Sequence, residues 1–112
     1  MKVIKIDDVY RFEIDPIQLY NRSYKFKIIE FDKTLISFNL SLQDYGALLV
    51  RLGDIMGYQN YKTHFNDVIE TNRTESDRVE FSINNKVSLY ISDKVIDELR
   101  DYFLSSEFIS IE

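Results

Sequence analysis

The 112-residue chain contains no cysteine and no tryptophan, one proline, one histidine and three glycines. Without cysteine there is no disulfide framework and no mark of an oxidising compartment. A zinc site would have to be assembled almost wholly from carboxylates, against the metal's preference for nitrogen and sulfur. With His64 as the sole imidazole and no thiol, nothing encodes a Ser-His-Asp or Cys-His arrangement, and His64, between Thr63 and Phe65, is expected to be a solvated side chain. No glycine-rich loop precedes a helix, so phosphate cradling is unsupported. No apolar run approaches the roughly 20 residues of a membrane span, and Met1 to Asp8 carries charges where a signal peptide needs its apolar segment. The expectation is a cytoplasmic protein with no catalytic residues, no cofactor and no metal.

What is present is a core. Hydrophobic residues make up 45% of the chain, with eight tyrosines and eight phenylalanines, enough for one packed domain spanning 1–112 but not for two. The abundance of Ile, Asn, Lys, Asp and Tyr over Ala, Gly and Pro suggests an AT-rich genome, such as a low-GC bacterium or its phage. Net charge is −5. Up to Gly57 acids and bases balance at eight each, whereas Tyr58 to Glu112 holds eleven acids and six bases. The excess disfavours nucleic-acid backbones and favours a protein partner with a basic surface.

Alternation predicts strands. Ile4, Ile6, Tyr10, Phe12 and Ile14 share one parity, with a break expected at Asp7-Asp8 and an end at Pro16. Tyr24, Phe26 and Ile28 alternate with Lys25 and Lys27, and an Asp32-Lys33 turn joins this strand to Thr34–Leu40 as an antiparallel hairpin. These aromatics share parity with core aliphatics, so they are read as core and not as a base-stacking surface. Ser41-Leu42-Gln43-Asp44 reads as a capping box opening a helix to Met56. Its apolar arc of about 140° holds Leu42, Tyr45, Leu48, Leu49, Leu52, Ile55 and Met56, with Gln43, Asp44, Arg51 and Asp54 placed opposite. Gly46, Gly53 and Gly57 project to one edge of this helix beside Val50. Gly57 and Gly53 are candidates for end-capping, and Gly46, Val50 and Gly53 for a close-packing seam, within the chain or between chains.

Tyr61, Phe65, Val68 and Ile69 have helical spacing, which predicts a short helix within Tyr58–Thr71. Thr71–Arg78, with no apolar residue, is expected to be a mobile loop. Val79, Phe81 and Ile83 form a strand, Asn84-Asn85 a turn, Lys86–Ile91 another strand, and Ser92 caps a helix towards Leu104. Phe108–Ile111 is a candidate final edge strand. An offset of 51 residues superposes Ser41 on Ser92, Leu40 on Ile91, Leu48 on Leu99 and Asn21-Arg22-Ser23 on Asn72-Arg73-Thr74. The expected fold is α+β, an antiparallel sheet with two or three helices packed on one face and a duplicated hairpin-helix unit over 21–56 and 72–105.

On the last helix Asp93, Asp97 and Asp101 recur at i, i+4 and i+8, a stacking of like charge that slightly destabilises a helix. With Glu98 and the loop acids Glu75 and Asp77, they are the candidate partner-binding residues. The expected function is non-enzymatic: a small acidic inhibitor of another macromolecule, of the immunity-protein or phage anti-defence type. The alternative is a self-assembling structural or accessory protein of phage or mobile-element origin, for which a homo-oligomer is expected.

Overall fold

A computed structural model describes residues 1–19, 21–53 and 55–109. Eight strands and two helices follow one another as β1 (Lys2–Lys5), β2 (Tyr10–Leu19), β3 (Asn21–Glu30), β4 (Lys33–Ser41), α1 (Leu42–Gly53), β5 (Gly57–Lys62), β6 (Val68–Arg73), β7 (Arg78–Ile83), β8 (Val87–Ser92) and α2 (Asp93–Ile109). The class is α+β and mostly β. The strands make two antiparallel four-stranded sheets, β1-β2-β3-β4 and β5-β6-β7-β8, in place of the single sheet expected, and the two helices do not cover one face of one sheet as expected, since each contacts strands of both. Each is a meander followed by a helix, so the recurring unit is four strands and a helix. It begins earlier than 21 and 72. Asn21-Arg22-Ser23 opens β3 whereas Asn72 and Arg73 close β6, so the offset of 51 holds at the strand-to-helix junctions and fails upstream.

The first sheet follows its alternation. Asp7 turns the chain by accepting hydrogen bonds from the N–H groups of Val9 and Tyr10, both at 2.8 Å, which separates β1 from β2. Pro16 does not end β2. Pairing with β1 stops at Ile14, so Pro16 sits where β2 has β3 on one side only, and the missing N–H breaks no ladder there. The β3–β4 turn falls at Phe31-Asp32, with Phe31 at φ 52°.

The second sheet departs further. Tyr58–Thr71 is not helical: β5 and β6 form a hairpin closed by Thr63–Asp67. Thr63 fixes that turn, its hydroxyl accepting from the N–H groups of Phe65 and Asp67, with Asn66 left-handed at φ 68°. The inward residues of β5 and β6 include Gln59, Tyr61, Thr71 and Arg73, and this polarity hid a two-residue period behind a fortuitous helical one. Thr71 to Arg73 therefore belong to β6, and only 74–77 is irregular. Phe108 and Ile109 extend α2; the remainder of the expected terminal strand lies outside the described residues. At the other end α1 stops at Gly53, short of Met56.

One core joins both sheets and both helices. Phe12 meets Phe26 edge-on at 5.9 Å and Phe81 of the other sheet at 6.2 Å. Such pairs add about 0.5–1.5 kcal/mol each beyond area burial. Tyr45, fully buried, packs against Tyr24, Phe26 and Phe103 and donates to the Leu99 carbonyl at 2.7 Å. Gly46 opposes Phe103 while Gly53 opposes Ile96. The two helices therefore run antiparallel. No helix among the described residues is long and apolar enough to cross a membrane.

Candidate functional site

Arg73 closes β6 on its inward parity and is 5% exposed. Its guanidinium donates to the Leu52 carbonyl from Nε at 3.2 Å and Nη2 at 2.7 Å, and to the Ser76 carbonyl from Nη1 at 3.2 Å. Nη2 also meets Asp93 Oδ1 at 2.8 Å. A buried cation is tolerable because the negative end of α1 and a carboxylate surround it. The Asp93 N–H in turn donates to the Asp77 carbonyl at 3.1 Å. One side chain thus ties together the end of α1, the start of α2 and the 74–77 loop.

The sequence-predicted acids divide accordingly. Glu75, Asp77, Asp93 and Asp97 are carried by segments that this network fastens to each other. Within that set Asp93 is answered by Arg73, Asp97 by Arg100 at 3.1 Å, and Glu75 by Arg78 through two bonds of 3.1 and 3.2 Å. Asp77, Glu98 and Asp101 are exposed and have no cation within 4 Å among the described residues. Between the end of α1 and α2 opens a concavity of about 520 Å³, lined by Met56, Ile96, Asp93, Asp97 and Arg100 and not by Asp77, Glu98 or Asp101. Met56 is 63% exposed.

Of the three residues proposed as a seam, Gly46 and Gly53 face α2. A Cβ at Gly46 would lie 3.8 Å from Phe103, and one at Gly53 would lie 2.9 Å from Arg100 Nη2. Val50 is exposed. Gly57, at φ +83°, enters β5 and does not cap α1.

Comparison with protein-family models, curated proteins and solved structures yields no match.

A second polar cluster surrounds the N-terminus of α1. The capping box forms as expected, Asp44 accepting from the Ser41 N–H and Ser41 Oγ from the Asp44 N–H, both at 3.0 Å. Asp44 is nevertheless fully buried and not on the solvent side. It also accepts from the Tyr61 hydroxyl at 2.7 Å and from the His64 N–H at 3.1 Å. Burial first, then the Asp44 hydrogen bond, push the Tyr61 phenol up to about 12. Ser41 Oγ lies 2.9 Å from His64 Nδ1, with Asp44 Oδ1 4.0 Å from the same atom. A relay needs serine and carboxylate on opposite ring nitrogens. Here both address Nδ1, and the arrangement staples the α1 terminus to the β5–β6 turn.

Among the described residues no three His, Cys, Asp or Glu side chains converge as metal ligands. Arg73, Tyr61 and His64 were missed as organising residues. The signal for Arg73 was its place in the alternation Ile69-Thr71-Arg73, which is readable only once 68–73 is seen to be a strand.

Proposed function

We propose that this chain is a non-enzymatic protein-binding domain, an acidic inhibitor that covers a basic surface on another macromolecule in the manner of an immunity or phage anti-defence protein. The observation that carries the reading is the Arg73 network, which holds the acidic 74–77 loop against the first turn of α2. A surface organised before binding loses little conformational freedom on association. Asp77, Glu98 and Asp101 supply charge with no cation within 4 Å among the described residues, while Asp93 and Asp97 share theirs with arginines. Met56, 63% exposed, offers apolar contact in the concavity that Asp93 and Asp97 also line. Long-range attraction would speed encounter with a basic partner and weaken with salt.

The test is a pull-down with the purified chain at low and high salt, followed by affinity measurement on the captured protein. Charge reversal by Asp97→Lys with Asp101→Lys should weaken capture at least about tenfold, a loss of roughly 1.4 kcal/mol, and flatten the salt dependence. Unchanged affinity and salt slope would remove this surface from the mechanism.

A further inference from the structure

The second sheet buries Ile69, Val79, Phe81, Ile83, Leu89 and Ile91 on its inner face. On its outer face, pairing aligns Tyr58, Asn72, Glu80 and Tyr90 in one row across the four strands, and Asn60, Glu70, Ser82 and Ser88 in the next. A concavity of about 350 Å³ opens on this face, its lining including Tyr58, Glu70, Asn72, Glu80 and Lys86. Glu70 and Glu80 are half-buried and occupy diagonal positions on neighbouring strands, about 7 Å apart. Neither has a cation within 4 Å among the described residues, Lys86 included. The Tyr58 hydroxyl donates to Glu70 at 2.5 Å, which fixes the ring beside that carboxylate.

Two other places in the chain show what accompanies a tyrosine and a carboxylate so arranged. Arg51 lies 4.7 Å over the Tyr61 ring, whose hydroxyl donates to Asp44. Arg78 lies 4.6 Å over the Tyr90 ring and is bound by Glu75. Each arginine stacked on a tyrosine among the described residues thus has a carboxylate with it. Tyr58 has two carboxylates beside it, and among the described residues no arginine of this chain lies over its ring.

We propose that this concavity docks an arginine side chain carried by a protein partner, its guanidinium bridging Glu70 and Glu80 and lying against the Tyr58 ring. Charge complementarity selects a cation, since two carboxylates without a counter-charge repel phosphates and acidic peptides. Geometry selects guanidinium over ammonium. A planar fork of five donors addresses two carboxylates at this separation and stacks on a ring at the same time, whereas an ammonium is a point charge. Tyr58 and Tyr90, 55% and 57% exposed, end a row of about 14 Å, three strand spacings, which is longer than one guanidinium. The face therefore suits an arginine whose own chain continues towards Tyr90. None of Asp77, Asp93, Asp97, Glu98 and Asp101 lines this concavity, so the site is separate from the acidic surface on α2.

The experiment is an NMR titration of the isotope-labelled chain with acetyl-Gly-Gly-Arg-Gly-Gly-amide, its lysine counterpart and ethylguanidinium. The arginine peptide should give saturable shifts of the Glu70, Asn72, Glu80 and Ser82 amides in the millimolar range. The lysine peptide should bind at least about fivefold more weakly, and ethylguanidinium, which lacks the chain, also more weakly. Glu70→Gln with Glu80→Gln should abolish the saturable shifts while the remaining spectrum stays in place, and Tyr58→Leu should weaken binding about threefold. Asp97→Lys with Asp101→Lys should bind the peptide as the parent does, so this site and the α2 surface succeed or fail separately. Absence of saturable shifts, equal affinity for the lysine peptide or for ethylguanidinium, binding retained by the glutamine pair or undiminished in Tyr58→Leu, or loss in the α2 variant would each overturn the inference. So would an equal response of these amides to calcium chloride or to maltose.

Discussion

Replacing Asp44 with alanine would test how a fully buried carboxylate holds two units of this fold together. The side chain accepts from the Ser41 N–H, the Tyr61 hydroxyl and the His64 N–H, at 3.0, 2.7 and 3.1 Å. Its removal leaves three donors without their acceptor in a partly buried site. Allowing about 1 kcal/mol for each, the low end for a buried unsatisfied group, the loss is about 3 kcal/mol. A domain of this size is stable by about 5–15 kcal/mol, so the midpoint of thermal unfolding should fall by roughly 10 °C. Urea unfolding followed by circular dichroism at neutral pH measures it. Two companion variants make the reasoning specific. Tyr61→Phe removes one donor and should cost about 1 kcal/mol, whereas His64→Ala keeps its main-chain N–H and should cost less. An Asp44→Ala protein within about 0.5 kcal/mol of the parent would refute the staple, because that is the scatter of an ordinary surface substitution. A His64→Ala loss equal to that of Asp44→Ala would refute the assignment to the main-chain donor.

Gly46→Ala should stabilise the protein by about 0.5–1 kcal/mol, since the helix interior favours alanine and the new Cβ would meet Phe103 at 3.8 Å, an ordinary contact; denaturant midpoints read this directly. Arg73→Lys should cost at least about 2 kcal/mol in urea unfolding, because an ammonium cannot span Leu52, Ser76 and Asp93 as the guanidinium does. The Tyr61 phenol, held to about 12 in the folded protein, is released near 10 in the unfolded chain. The folded state then binds more protons, so stability should decline as pH rises from about 10 towards 12. Unfolding midpoints across that range should slope less steeply in Tyr61→Phe.

The first sheet was legible because its pattern is redundant. Tyr24, Phe26 and Ile28 against Lys25 and Lys27 admit one inward face, and β3 lies with that face in the core. The capping serines were legible for a similar reason: Ser41 satisfies a local donor three residues away, a bond that needs no distant partner. The second sheet was harder. β5 and β6 bury Thr71 and Arg73 among their inward residues, so hydrophobicity alone gave no two-residue period. Pro16 was misjudged because its tolerance depends on where β1 stops, which is a property of the neighbour. The candidate acids were visible as a helical spacing, but their division into paired and unpaired carboxylates depends on Arg73, Arg78 and Arg100 reaching them in space.

Composition and periodicity, acting locally, determined the α+β class, the first hairpins, both helix starts and the acidic bias of the second half. Tertiary structure decided that the strands divide into two sheets, that Asp44 lies inside the protein, and that Arg73 joins a loop to two helix ends. It also left β8, among the described residues, at the edge of its sheet. The physical reason is range. A turn or a cap is set by neighbours a few residues away, whereas the burial of a charge and the exposure of an edge depend on groups that only the folded chain brings together.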